Sequence, residues 1–217
     1  MDEVFDQFAR MAAALSTRSR LKLIDRLCQG EQTVEELAQA AELTVSNASR
    51  QLRVLAEARL IVARRDPPRV YYRLASERVT EFWFALRDLA REQLAEVDQA
   101  VAEILAGTDA LDPIDRDELL NRLETGEVLL FDVRPVPEYR AGHLPGAISM
   151  PLPELRGRLP ELSLDREVVA YCRGPYCLLA AEAVSLLRTR GLRAVRLADG
   201  LPEWRAAGLP VEVSAAR

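Results

Sequence analysis

Two different hydrophobic patterns meet near the middle of this 217-residue chain. In residues 1–106 the apolar positions recur mostly at helical spacing, whereas beyond residue 113 short apolar strands alternate with helical segments. Residues 107–113 between them contain Gly, Thr, Asp and Pro without periodicity, which is typical of a linker. A chain of this length is enough for two small domains. We therefore predict one domain over 1–106, a linker over 107–113 and a second domain over 114–217.

Helical spacing of apolar residues predicts two helices near the N-terminus. The positions are Val4, Phe5, Phe8 and Met11 in the first, and Leu21, Ile24, Leu27 and Cys28 in the second. Thr33 and Glu36 match a capping box for a short third helix, and Thr44 is predicted to cap a fourth. The apolar face of that fourth helix is expected to comprise Val45, Ala48, Leu52 and Leu55.

The hydrophobic period changes from that of a helix to that of a strand after the fourth helix. Residues 60–62 and 70–74 predict two strands. Since the segment between them is charged and contains two prolines, which do not fit a central ladder, we predict a loop over 64–69. A single long helix is predicted over 76–106.

The charge of the chain is unevenly distributed. The total is −5, from 29 basic and 34 acidic residues, which alone argues against a nucleic-acid-binding protein. Residues 43–73, however, contain seven arginines against only Glu57 and Asp66, a local balance of +5. A local basic patch steers a polyanion even when the net charge is negative. DNA binding is therefore expected in this segment, with a solvated protein-binding face as the alternative.

Polar side chains of the fourth helix and of the two-stranded ribbon are the candidate DNA contacts. Helices followed by a basic ribbon predict an α+β winged helix-turn-helix domain. The helix side chains are of the types that bond base edges and phosphates: Thr44, Ser46, Asn47, Ser49, Arg50, Gln51 and Arg53. The ribbon adds side chains that can reach phosphates or a minor groove: Arg64, Arg65 and Arg69.

Residues 33–74 resemble the ArsR family of bacterial repressors. The resemblance implies a homodimer, built through the first and last helices of the domain, on a double-stranded DNA operator with two-fold symmetry. Many relatives sense metals through several ligands, but Cys28 is the only thiol in this half, which also lacks histidine. No metal site and no cofactor are therefore predicted, and Cys28 is expected to be a small buried apolar residue.

The second half predicts an α/β domain with a mostly parallel sheet. Strands are expected over 128–133, 167–171 and 194–197, with a helix over 178–190 between the last two. Asp115 and Glu118 match a cap for a helix that precedes the first of these strands.

A cysteine follows the central predicted strand, in the short loop before a helix. Cys172 stands there, and the loop that would surround its sulfur comprises Arg173, Gly174, Pro175, Tyr176 and Cys177. Backbone N–H groups at a helix N-terminus and a nearby cation lower a thiol pKa. We therefore predict Cys172 to be a nucleophilic thiolate whose surroundings can also hold a persulfide anion.

This half resembles a rhodanese domain. The motifs are Asp132-Val133-Arg134, residues 138–147, the Cys172 loop, residues 199–204 and residues 208–211. The resemblance implies that Cys172 takes a sulfane sulfur from a donor and passes it to a thiol acceptor. The last loop position, often basic or threonine in relatives that use thiosulfate, is Cys177, which disfavours thiosulfate. Cys177 is instead a candidate resolving thiol that attacks the persulfide.

Several other classes of protein are disfavoured. Leu178 stands where a phosphatase-type loop of this fold would close with arginine, so oxyanion chemistry is not expected. Asp2 and Glu3 do not fit a secretory signal, the uncharged stretch 141–153 is too short for a membrane span, and three cysteines cannot all pair. A cytoplasmic protein without a membrane partner is expected.

These observations combine into one main hypothesis and two alternatives. The main hypothesis is a transcriptional regulator in which sulfur chemistry at Cys172 changes operator binding. One alternative is a sulfurtransferase whose winged helix serves only dimerisation or targeting. The other is a repressor whose second domain binds a partner, or trivalent arsenic, without catalysis.

Overall fold

The structure is a computed structural model that describes residues 1–106, 113–162 and 165–214. The chain divides into two compact units, Met1–Leu89 and Ala90–Arg217, which are described separately. The predicted linker lies outside the described residues except for Pro113. The division falls before the predicted linker, because Val101 and Leu105 pack against the core of the second unit.

The first unit has the winged helix-turn-helix fold expected from the sequence. Its strands form an antiparallel sheet in the order β1-β3-β2, and the helix α5 spans the division between the units. The elements are α1 (Asp2–Ala14), α2 (Arg18–Leu27), β1 (Gln32–Thr33), α3 (Val34–Ala41), α4 (Val45–Glu57), β2 (Ile61–Asp66), β3 (Arg69–Leu74) and α5 (Glu77–Gln93).

Local capping bonds position the helices of this unit. The Thr33 hydroxyl accepts a bond from the Glu36 N–H, and the Glu36 carboxylate accepts one from the Thr33 N–H, which confirms the predicted capping box. Thr44 caps α4 by accepting a bond from the Asn47 N–H at 3.2 Å. The core beneath these helices consists of fully buried aliphatic side chains, among them Leu23, Leu37, Leu52 and Leu55.

Three details of the first half differ from the prediction. The loop predicted over 64–69 is mostly strand, because the two prolines occupy only the turn while Asp66 pairs with Arg69 across the ribbon. Val45 is half exposed, because it stands at the first position of α4, outside its buried face. The predicted long helix is broken at Leu94, where the backbone becomes extended. The helical spacing of apolar residues continues across this break, so the pattern could not show it.

The second unit is an α/β domain whose four strands are all parallel, in the order β5-β4-β6-β7, as the sequence predicted in outline. Its elements are α6 (Ala95–Leu105), α7 (Arg116–Glu124), β4 (Val128–Asp132), α8 (Val136–Ala141), β5 (Ile148–Ser149), α9 (Leu152–Arg158), a 3-10 turn (Leu159–Glu161), β6 (Glu167–Tyr171), α10 (Leu178–Arg188), β7 (Ala194–Arg196) and α11 (Leu201–Ala206). Short elements carried no clear period, and β5, α8, α9 and α11 were not predicted.

The alternation of side chains along β6 determines where the cysteine points. Val168 and Ala170 belong to one buried cluster, and Val169 and Tyr171 belong to a second cluster. This period of two shows that both faces of the strand are covered. Cys172 continues the alternation and joins the first cluster, which also includes several residues of α10.

A buried ion pair at the end of β4 is hydrogen-bonded to the last residue of β6. Asp132 and Arg134, both fully buried, pair at 2.6 Å, and Arg134 also donates to the Gly142 carbonyl at 2.7 Å. The Tyr171 hydroxyl donates to Asp132 at 2.6 Å and accepts a bond from the Leu144 N–H at 3.1 Å. Tyr171 immediately precedes Cys172, so this network fixes the point at which the cysteine loop begins.

Within the described ranges, helices long and apolar enough to cross a membrane are absent.

Candidate functional site

The loop from Cys172 to Cys177 connects the end of β6 to the start of α10. Cys177 is the N-cap residue of α10, and its N–H donates to the Gly174 carbonyl at 3.1 Å, which closes the loop into a turn. Gly174 has φ +143°, a conformation that favours glycine. A side chain at Gly200 would collide with the backbone of Arg173 and Gly174. The compact loop therefore depends on two glycines, only one of which lies in it.

The two thiols of the loop are in contact but differ in exposure. Cys172 is 2% exposed, whereas Cys177 is only partly buried. The Cys172 Sγ–H donates to the Cys177 carbonyl oxygen at 3.5 Å, and each thiol shifts the pKa of the other. The loop thus brings together the predicted nucleophile and the predicted resolving thiol.

The pKa values of the two thiols are shifted in opposite directions. Burial raises the pKa of the Cys172 thiol well above its ordinary value, and the neighbouring Cys177 raises it further. The hydrogen bond from Cys172 lowers the pKa of Cys177 to about 6, and backbone N–H groups of Arg173 and Leu179 add to that effect. These shifts favour the thiolate on Cys177 in the resting loop, while Cys172 stays the predicted nucleophile.

Arg173 is paired with a carboxylate and is not reserved for the cysteine thiols. Its guanidinium binds both oxygens of the Glu138 carboxylate, with Nε at 2.9 and 3.1 Å and Nη2 at 2.5 Å. This pairing compensates most of its charge, and its Coulombic attraction is the smallest of the effects that lower the Cys177 pKa. Glu138 lies on α8, which was not predicted, so the sequence could not show this partner.

A second cation near the site was missed by sequence reasoning. Arg196, on β7, is only 9% exposed and is the register partner of Ala170, two residues before Cys172. Burial lowers the pKa of Arg196, and attraction to Cys172 partly offsets that effect. Only the register of the parallel sheet places this arginine beside the cysteine, and no sequence motif marks it.

Tyr176 forms the outer side of the loop and is about one third exposed. It lines a mostly apolar groove whose other residues lie on or next to α6: Leu94, Glu96, Val97, Ala100, Val101 and Ile104.

In the first unit, the predicted DNA-contacting face of α4 is partly organised by internal hydrogen bonds. The Asn47 Oδ1 accepts bonds from Arg50 at 3.1 Å and from Gln51 at 3.2 Å. Gln51 in turn accepts a bond from Arg20 at 2.9 Å, which orients its amide. The exposed members of the predicted set on or next to this helix are Thr44, Ser46, Arg50 and Arg53, while Asn47, Ser49 and Gln51 are half-buried.

The three arginines of the ribbon are in different situations. Arg64 binds Glu31 through two nitrogens, at 2.7 and 3.1 Å, and also pairs with Asp66 at 3.2 Å. Its guanidinium stacks over the Tyr71 ring, so it is held against the protein. Arg69 is hydrogen-bonded to Tyr71, and Arg65 is exposed. Arg65 and Arg69 are therefore better placed than Arg64 to bind a phosphate.

Among the described residues, no three His, Cys, Asp or Glu side chains are grouped so as to hold a metal ion.

Comparison with known families defines the class of each unit. Residues 17–62 match the model of the bacterial regulatory proteins of the arsR family, and residues 115–207 match that of the rhodanese-like domain. These matches correspond to the winged helix and to the parallel α/β unit. The protein is a DNA-binding regulator of the winged helix-turn-helix class, fused to a rhodanese-like domain.

One relative matches this chain over nearly its whole length. The HTH-type transcriptional regulator Rv0324 of Mycobacterium tuberculosis is 47% identical over 212 residues, which are 98% of this chain and 93% of the relative. The chain therefore belongs to the arsR family of bacterial regulatory proteins.

Other similarities cover one half of the chain each. A sulfurtransferase of Allochromatium vinosum is 35% identical over 100 residues, covering 45% of this chain and 92% of that protein. The homodimeric winged helix-turn-helix domain of Mb0332 from Mycobacterium bovis, a possible ArsR-family regulator solved by NMR, is 38% identical. That match covers 43% of this chain and 86% of the other, with a TM-score of 0.41.

The lowered pKa of Cys177 predicts how the alkylation of this thiol depends on pH. Alkylation of Cys177 by iodoacetamide should rise with pH and be half-maximal near pH 6, since only the thiolate reacts. Cys172→Ala removes the S–H donor and should move this midpoint upward. Trypsin cleaves after Arg173, so the two cysteines fall on separate peptides and each rate can be read by mass spectrometry. A wild-type midpoint near the ordinary thiol value of about 8.5 would contradict this assignment.

Proposed function

We propose that this protein is a homodimeric transcriptional regulator in which sulfur chemistry at Cys172 and Cys177 changes the affinity for operator DNA. The observation that carries the proposal is the hydrogen bond from the Cys172 thiol to the Cys177 carbonyl oxygen, which brings the two cysteines together in the loop of a rhodanese-like domain, on the same chain as a winged helix.

The proposed sulfur step needs only a donor of sulfane sulfur and a thiol acceptor. The outer sulfur of a low-molecular-weight persulfide is transferred to Cys172, so that a Cys172 persulfide forms and the donor leaves as its thiolate. A thiol acceptor then takes the outer sulfur. In the resolving reaction, the Cys177 thiolate attacks the inner sulfur, and a Cys172–Cys177 disulfide forms as hydrosulfide leaves.

The proposed DNA interface is the exposed side of α4 together with the tip of the ribbon. Arg50 and Arg53 extend from the helix, and Arg65 and Arg69 extend from the ribbon. Such side chains bind phosphates and base edges. Two copies of this surface, related by two-fold symmetry, would bind the two half-sites of an operator.

Exposed apolar side chains support the proposed dimer. Val4, Phe5, Phe8 and Met11 of α1 are each about half exposed or more, and so are Phe82 and Leu89 of α5. Contiguous apolar surface of this kind usually marks a protein interface. These are the first and last helices of the winged-helix unit, through which the family resemblance implies dimerisation.

One prediction concerns the arginines. Arg50→Ala should weaken operator binding by roughly 1–3 kcal/mol, and Arg65→Ala should lower the salt dependence of log K by about one unit. Arg64→Ala is the matched control, because Glu31 and Asp66 already bind that guanidinium, and its salt slope should stay unchanged. Fluorescence anisotropy over a series of salt concentrations measures all three. Equal slopes for the Arg64 and Arg65 variants would argue against this division of roles.

The proposed switch is tested by a gel-shift titration with DNA from upstream of the protein's own gene. Reduced protein and polysulfide-treated protein are compared, and Cys172 modification is followed by intact mass. We expect treatment to change the affinity of the wild type and to leave that of Cys172→Ser unchanged.

Other results of this titration would favour the two alternatives. If Cys172 takes up and releases sulfur while the affinity stays constant, the protein is a sulfurtransferase with an independent DNA-binding unit; the similarity to the Allochromatium sulfurtransferase makes this the second candidate. If Cys172 accepts no sulfur from any donor, the second domain has a binding role only.

A further inference from the structure

The two thiols of the loop differ in how a donor can reach them. Cys172 is 2% exposed and packs with Ala170, Ala180 and Val184 in the core cluster beside α10. Its Sγ–H bonds to the carbonyl oxygen of Cys177, which covers it on the loop side. Cys177 is only partly buried and stands at the first turn of α10. A sulfur donor arriving from solvent therefore meets Cys177 before Cys172.

We propose that sulfur enters this loop at Cys177 and is then passed to Cys172, so that the pair acts as a two-thiol relay. The inference rests on the proposed function, in which Cys172 carries the persulfide, and it concerns the route by which the sulfur arrives there. It gives Cys177 a role before the persulfide forms on Cys172, in addition to the resolving role after it.

The first step is an exchange with a low-molecular-weight persulfide. The Cys177 thiolate attacks the outer sulfur of the donor, and a bond forms between the Cys177 sulfur and that atom. The S–S bond of the donor breaks, and its electron pair leaves on the donor thiolate. The outer sulfur keeps its hydrogen, so the products are a Cys177 persulfide and a free thiolate.

The second step moves the same sulfur atom inward. Cys172 gives its proton to water, and its thiolate attacks the outer sulfur of the Cys177 persulfide; the S–S bond at Cys177 breaks, and the Cys177 sulfur leaves with the electron pair. No oxidant or reductant is consumed. A thiol of low pKa is the better leaving group, and the thiolate of a high-pKa thiol, once formed, is the stronger nucleophile. Because burial raises the Cys172 pKa and hydrogen bonding lowers that of Cys177, transfer in this direction is favoured.

The surroundings of Cys172 suit the end of such a relay. Backbone N–H groups of Gly174 and Ala180 point to its sulfur, and the buried Arg196 attracts negative charge there. An anion of the persulfide would be held by these groups. Its burial would also separate the stored sulfur from thiols in solution.

The relay is tested by single-turnover loading with glutathione persulfide at pH 7, followed by rapid quenching with iodoacetamide and tryptic mass spectrometry. In the wild type, the added sulfur should be found first on the Cys177 peptide and later on the Cys172 peptide. Cys172→Ser should accumulate the persulfide on Cys177 at close to the wild-type rate. Cys177→Ser should load Cys172 at least about tenfold more slowly, since the buried thiol is rarely ionised.

Controls separate the relay from loss of the fold and from failure of the proposed function. Cys28→Ser alters the remaining cysteine, in the first unit, and should load as the wild type does. Circular dichroism checks that each variant is folded. If Cys177→Ser loads Cys172 at the wild-type rate, or if Cys172→Ser carries no sulfur on Cys177, the relay is refuted while the proposed function stands. If neither thiol of the folded wild type accepts sulfur, both are refuted.

Discussion

The cysteine loop depends on the buried ion pair between Asp132 and Arg134. Both side chains are shielded from water, and Tyr171 and the Gly142 carbonyl supply further hydrogen bonds. Removing one partner of such a pair leaves an uncompensated charge, which costs roughly 3–5 kcal/mol. The network joins the ends of β4 and β6 and the segment before β5. Since these bonds hold Tyr171, the last residue of β6, in place, they also fix the position of the backbone at Cys172.

Packing and hydrogen bonding around the loop explain why the pKa values of its two thiols differ. The alternation along β6 turns Cys172 into an apolar cluster, which disfavours its thiolate. Backbone N–H groups of Arg173 and of Leu179, the latter in the first turn of α10, favour the thiolate of Cys177. One loop of six residues thus contains two neighbouring thiols whose pKa values are shifted in opposite directions. This asymmetry gives the pair a direction, which a single reactive cysteine would not have.

The sequence predicted the elements that rest on local or periodic signals. These are the helix caps at Thr33, Thr44 and Asp115, the strand before Cys172 and the motifs of both family resemblances. The interactions that set the charge of the sites are not local: Arg64 pairs with Glu31, Arg173 with Glu138, and Arg196 reaches Cys172 through sheet register. In each case the arginine was visible in the sequence, but its partner lies on an element or in a register that the pattern did not show.

In the proposed function, sulfur chemistry in the second unit and operator binding by the first are coupled. Coupling between two binding equilibria is reciprocal, so DNA must shift the sulfur equilibrium by the same factor by which sulfur shifts DNA affinity. The most direct measurement is the equilibrium occupancy of the Cys172 persulfide at a fixed ratio of glutathione persulfide to glutathione, with and without saturating operator DNA. Coupling predicts a change in occupancy with operator DNA and none with a duplex of unrelated sequence. Identical occupancy under all three conditions would contradict it and would leave two independent activities on one chain.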